Sequence, residues 1–133
     1  LFLQWLADRS LAAAQKTATD AGMRIGLITD LAIGMDRGGS HAWSRRDDLL
    51  PGLSIGAPPD LFNTQGQNWG LAGFSPRALA RAGYAPFLAT LRAAMRHAGG
   101  VRIDHIMGLQ RLWLVPDGAS PAEGAYLAYP LDD

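Results

Sequence analysis

The apolar residues Phe2, Leu3, Leu6, Leu11, Ala14 and Ala18 recur at close to helical spacing, so the chain is expected to open on a helix that Gly22 closes as its C-cap. The run "MRIGLITD" follows at once and reads as a strand. From residue 31 to residue 73 the periodicity is lost. "GMDRGGS", "PGLSIGAPPD" and "NTQGQNWG" are rich in Gly, Pro, Asn, Asp and Ser, and predict turns in an irregular segment much longer than an ordinary connection. Trp43, Phe62, Trp69 and Phe74 give that segment aromatic anchors, which argues for a functional loop rather than disorder. Helical spacing returns after Ser75, an N-cap followed by Pro76 at the first helical position, and ends at Gly99 and Gly100. Gly83 and Pro86 are expected to split this helix. "VRIDH" reads as a second strand, and "LQRLWLVPDG" fits a short helix or a strand equally well.

Helix, strand, long insert, helix, strand is the alternation of an α/β protein with parallel strands. Both apolar runs, "IGLIT" and "VRI", lead into an aspartate, Asp30 and Asp104. In a (β/α)-barrel the C-terminal strand ends carry the active site, so a carboxylate there has the position of a catalytic group. Two strands cannot close a barrel; on this architecture the chain is a segment of one. Arg102 lies two residues before Asp104, so on a strand the two side chains share a face. A guanidinium so placed would keep the carboxylate ionised, oriented and low in pKa. The same spacing also makes an ordinary ion pair at a strand end.

Composition narrows the classes further. The 133 residues are 48% hydrophobic and 18% charged, a globular balance. Twelve Lys and Arg against twelve Asp and Glu leave no net charge and no basic stripe to neutralise phosphates, which disfavours nucleic acid. No cysteine occurs, so disulfides and thiolate zinc sites are excluded and a reducing, cytoplasmic setting is favoured. The opening "LFLQWLADRS" is interrupted by Gln4, Asp8 and Arg9 and has no basic leader, so it reads as neither a signal nor a membrane span. It lacks an initiator Met, and the chain is expected to be an internal piece of a longer protein.

Four stretches in order, "GLITDLAIGMDRGGSHAW", "SIGAPPDLFNTQGQNWG", "VRIDHIMGLQRLWLVP" and "GAYLAYPLDD", together resemble the 4-α-glucanotransferases of glycoside hydrolase family 77, the amylomaltases or disproportionating enzymes, especially the bacterial maltodextrin-metabolising type. The resemblance implies that residues 1–133 are an internal fragment of a (β/α)₈ TIM-type barrel. The fragment would hold about two barrel strands, flanking helices and a long substrate-covering loop over 31–73. It also implies a retaining double displacement that moves segments of maltooligosaccharides or amylose to another chain or to glucose, without cofactor or metal. Retention needs two carboxyl groups about 5 Å apart. Asp104 matches the family nucleophile, with Arg102 orienting and tuning it, and His105 would donate a hydrogen bond to sugar hydroxyls. Asp30 matches an aspartate near the donor-sugar site. Asp60, Gln67, Asn68 and Trp69 fall in the substrate-covering loop and supply the amides, carboxylate and aromatic surface that sugars require.

Trp43, Phe62 and Trp113 read instead as packing residues, and Leu61 stands where relatives often carry a tyrosine. His41 and His97 suggest only solvated positions. The resemblance places the acid/base glutamate beyond the strand after "VRIDH". Glu123, the only glutamate here, lies in the variable loop "GASPAEGAY", so the 133 residues alone are expected to be inactive. A glucan-binding module without turnover and an α-amylase-type hydrolase are the alternatives. An Asp/His metal site lacks a third ligand at suitable spacing. The rest of the barrel, or neighbouring copies, is expected to bury the exposed apolar edges.

Overall fold

The structure, a computed structural model, describes residues 1–130. The last three residues of the motif "GAYLAYPLDD" lie outside the described residues. In chain order the elements are α1 (Phe2–Asp20), β1 (Ile28–Leu31), β2 (Met35–Asp36), α2 (Ser40–Ser44), β3 (Leu53–Ala57), β4 (Gln67–Ala72), α3 (Pro76–Arg81), α4 (Ala85–Met95), β5 (Gly100–Ile103), β6 (Arg111–Pro116) and β7 (Ala125–Ala128). Single 3-10 turns occur at Arg46–Asp48, Ile106–Leu109 and Pro121–Glu123. The chain forms two compact units, one from Leu1–Leu31 and Leu88–Asp104, the other from Ala32–Phe87 and the residues from His105 onward.

In the first unit α1 ends as its sequence requires. Gly22, at φ 91°, takes the left-handed position, its N–H reaches Thr19 O and the Met23 N–H reaches Ala18 O, which satisfies the last carbonyls of the helix. The strand expected from Met23 starts only at Ile28. Gly26 turns the chain at φ 75°, and the Gln15 side chain captures the backbone that would otherwise extend β1: its Nε2 donates to Ile25 O at 3.0 Å and its Oε1 accepts from Leu27 N at 2.6 Å. β1 and β5 pair in parallel, as expected, with Asp30 opposite Arg102 and Leu31 opposite Ile103. The join is close, since a Cβ on Gly99 would collide with the Ile25 carbonyl. Thr29 Oγ1 donates to Ala94 O at 2.7 Å and fastens β1 to α4. Asp8 of α1 takes His97 Nε2 at 2.8 Å and Arg96 Nη1 at 3.2 Å. No residue of α1 is buried, and Ile28 is 61% exposed.

The second unit differs from the sequence reading. Residues 31–73 are not irregular: they supply β2, β3 and β4 of a five-stranded antiparallel sheet ordered β2-β4-β3-β6-β7. The ambiguous run after Gln110 is strand β6, paired with β3 on one side and β7 on the other. Ile55, Leu112 and Leu114 form the sheet's core cluster, with Ile33, Leu53, Trp69, Leu71 and Leu127 packed against it. These strands hide in the sequence because they are short and glycine-bearing, and because a bulge breaks their period of two. Between Ile55 and Gly56 the partner on β4 jumps from Leu71 to Asn68. Gly56 also allows the backbones to meet, since a Cβ there would strike Gln67 O. Ser75 caps α3 as expected, and the helical stretch is broken around Gly83, with α4 resuming at Ala85.

Candidate active site

In the first unit the two strand-end aspartates share one arginine. Asp30 is the third residue of β1, and Asp104 lies one residue past β5. The parallel register sets Asp30 level with Arg102, whose Nε and Nη2 donate to Asp30 Oδ1 and Oδ2, each at 2.7 Å. Arg102 Nη2 also lies 3.5 Å from Asp104 Oδ1. One planar guanidinium therefore grips one carboxylate in bidentate fashion and reaches a second, which a lysine could not do. These hydrogen bonds first, and then the positive charge, hold the Asp30 carboxyl below the usual carboxylate range; the same pair raises the pKa of Arg102. Asp30, expected beside a donor sugar, accepts from Arg102 on both of its oxygens.

In the second unit Trp69, His105 and Gln67 form a connected group, with Asn68 next to them on β4. Trp69 sits on the bulge of β4, half-buried against the sheet core. Its Nε1 donates to Gln67 Oε1 at 3.1 Å, and its ring centroid lies 4.9 Å from that of His105 at an interplanar angle of 37°. His105 has a left-handed backbone, φ 49° and ψ 60°, and caps the 3-10 turn Ile106–Leu109. Asn68 Oδ1 accepts the Gly70 N–H at 2.9 Å and shapes the bulge, where Gly70 has φ 69°. The carbonyl oxygens of both amides are thus engaged within the chain, and their NH₂ groups are the donors they can offer a ligand.

Asp60 works inside its own loop: Oδ1 accepts the N–H groups of Phe62 and Asn63 at 2.7 and 2.6 Å. That turn leaves Leu61 and Phe62 each 94% exposed. Within the described residues, then, Phe62 does not pack as expected, nor does Trp43, which is 72% exposed. Trp113 packs as expected, with its Nε1 on Pro121 O at 3.0 Å and its ring against Tyr126. Glu123 completes a capping box with Ser120, accepting the Ser120 N–H at 2.8 Å. Sequence reasoning missed the Asp30–Arg102 pair, although two parallel strands that each lead into an aspartate were the signal for it. Among the described residues no cluster of three or more metal-ligating side chains occurs, and no helix is long and apolar enough to cross a membrane.

Comparison with known proteins places these arrangements in context. The family model described as glycoside hydrolase 77, 4-alpha-glucanotransferase, matches residues 1–133. The chain is 50% identical over 131 residues to a 4-alpha-glucanotransferase of Mycobacterium tuberculosis, covering 98% of this chain and 18% of that relative. It is similar to the crystal structure of amylomaltase from Corynebacterium glutamicum, with a TM-score of 0.87 and 49% identity, over 97% of this chain and 18% of that one. The amylomaltase from Streptococcus agalactiae, solved in complex with acarbose, shares the fold at a TM-score of 0.79 and 21% identity, over 87% of this chain and 24% of its own. The chain thus spans about a fifth of the length of these relatives.

Proposed function

The chain belongs to the glycoside hydrolase 77 family of 4-alpha-glucanotransferases, and from that membership we propose that the protein transfers α-1,4-glucan segments between maltooligosaccharides, or onto glucose, by a retaining double displacement with Asp104 as nucleophile. β1 and β5 are then two neighbouring strands of a (β/α)₈ barrel whose other strands the rest of the protein supplies. Parallel sheets are normally covered on both faces, and the open apolar surfaces of α1 and Ile28 fit such a piece. The setting we propose is cytoplasmic.

The observation that carries this reading is the Arg102 guanidinium held by Asp30 and turned to Asp104 at the end of paired parallel strands. In the first step an Asp104 oxygen bonds to the anomeric carbon while the glycosidic C–O bond breaks and the leaving oxygen takes a proton from a general acid. In the second step an acceptor hydroxyl gives its proton to the conjugate base of that acid, attacks the anomeric carbon and frees the Asp104 carboxylate. Glu123 is not that acid, since its carboxylate closes a capping box, and the 133 residues alone should lack activity. Asp30 acts through Arg102, His105 donates to sugar hydroxyls, and Gln67 and Asn68 offer their amide N–H groups. Residues 31–73 carry this substrate-binding loop, and Asp60 sets its shape. A binding module without turnover would have no task for the bridging arginine.

The test is Asp104→Asn in the full-length enzyme, with glucose release from maltotriose as the measure. Removing a covalent nucleophile should lower turnover by about three or more orders of magnitude with folding unchanged. A folded variant with near wild-type activity sinks the assignment.

A further inference from the structure

We infer that Trp69 is a positioning residue whose indole acts through His105, holding that imidazole in its working orientation, and is not itself a platform for sugar. The inference rests on the proposed glucan transfer and gives Trp69 and His105 separate tasks.

His105 stands directly after Asp104 and adopts a left-handed backbone, φ 49° and ψ 60°, which only it and Tyr84 share among the non-glycine residues described. For a residue with a Cβ this conformation is unfavourable and persists only where the surroundings over-determine it. Tyr84 has an evident reason: it closes the end of α3, with its N–H on Leu79 O at 2.8 Å. At His105 the chain leaves β5 and enters the 3-10 turn, and the Gly108 N–H closes on His105 O at 2.7 Å. The imidazole is exposed, so burial does not fix it. Its ring partner is Trp69, 4.9 Å away between centroids.

Trp69 is built to be that fixed surface. The β4 bulge aims it, with Gly70 at φ 69° and Asn68 Oδ1 on the Gly70 N–H. Its Nε1 is held by Gln67 Oε1, and its body packs against the Ile55, Leu112 and Leu114 cluster. A platform for a sugar ring presents an open face, as Phe62 does at 94% exposure; Trp69 is half-buried, with its donor engaged. The bulge, the Gln67 carbonyl and the indole therefore hold the imidazole of His105, the residue that follows the nucleophile in sequence. Displacement of a donor group by about 1 Å is enough to cost roughly a hundredfold in rate.

The test uses the full-length enzyme with Trp69→Phe, Trp69→Leu, His105→Gln and the double variant Trp69→Leu/His105→Gln. Initial rates are followed with maltotriose and with maltoheptaose, and melting temperature is recorded in parallel. Leu keeps contact with the core while removing the ring, so a folded protein is expected. Trp69→Leu should lower kcat about tenfold to a hundredfold with KM nearly unchanged for both donors, and Trp69→Phe should restore most of the loss. In the His105→Gln background the Trp69→Leu loss should shrink to about twofold or less, because the group it positions is gone. Equal Trp69→Leu losses in the two backgrounds, or a KM rise that grows with donor length, overturn the inference and make Trp69 a sugar contact. An inactive Asp104→Asn alongside uncoupled Trp69 and His105 would overturn only this inference; an active Asp104→Asn would overturn the function beneath it.

Discussion

The two units are stabilised in opposite ways. Among the described residues, only Leu31 of the buried hydrophobics belongs to the unit containing β1 and β5, and the other nine, Ile55 and Leu114 among them, belong to the unit built on the antiparallel sheet. The first unit is held by its two-stranded ladder, by side-chain fasteners such as Gln15, Thr29 and Asp8, and by the Asp30–Arg102 pair. The second carries a core of its own. On the proposed function the contrast would separate two tasks, with the polar unit placing charge for chemistry and the core-bearing unit fixing the geometry of a binding loop. Substitutions at Arg102 and Asp104 in the first should change rate more than stability, and substitutions in the buried core of the second, such as Ile55, the reverse.

The largest effect that would break this contrast is expected at Ile55, which is fully buried in the antiparallel sheet. Ile55→Ala should cost about 2–5 kcal/mol of stability through lost transfer energy and a residual cavity. Urea denaturation of the full-length enzyme measures it, and a cost below 1 kcal/mol would mean the sheet has no tight core. Next comes Arg102→Lys, which keeps the charge but loses the fork that holds Asp30 and reaches Asp104. Maltotriose turnover should fall by about tenfold to a hundredfold, while the melting temperature stays nearly constant because both partners are solvent-exposed. A large drop in melting temperature with unchanged turnover would reassign the pair to folding.

The smallest effect is a pH dependence located in the second unit. Burial, the leading cause, lowers the pKa of His41 below its ordinary value of 6.5, and the charge of Arg45 adds to this. The unfolded chain therefore takes up a proton first as pH falls. Stability contributed by neutral His41 is present above 6.5 and declines as pH drops through that value and then the lower folded value. His41→Phe should flatten the melting temperature between roughly pH 7 and pH 5; an unchanged slope would place the dependence elsewhere.

The first unit was the more legible in sequence. Helical periodicity, the Gly22 cap and two apolar runs leading into aspartates are local signals, and β1 and β5 pair in parallel as those signals imply. The second unit resisted, because its sheet is assembled from partners far apart in the chain: β3 pairs with β6, more than fifty residues on. Its strands also use Gly56 and Gly70, which read as turn residues in isolation. Residue spacing singled out Arg102 and Asp104, and the family resemblance added His105, but neither showed which carboxylate the arginine would grip. That depended on register, which sets Asp30 opposite Arg102. Aromatic side chains were the least legible, since burial is decided by neighbours; Trp43 and Phe62 are open, while Trp69 is held against the core.

The central claim is that Asp104 becomes covalently bound to the transferred glucan, and the direct measurement is to trap that bond. The full-length enzyme would be incubated with a maltotriosyl fluoride whose second step is slowed by a ring fluorine, quenched in acid, digested and analysed by mass spectrometry. The account expects the added mass of the fluorinated glycosyl group on the peptide spanning Val101 to Leu109, localised to Asp104 and absent from Asp104→Asn. An adduct on another carboxylate, or burst release of fluoride with the Asp104 peptide unmodified, would contradict it.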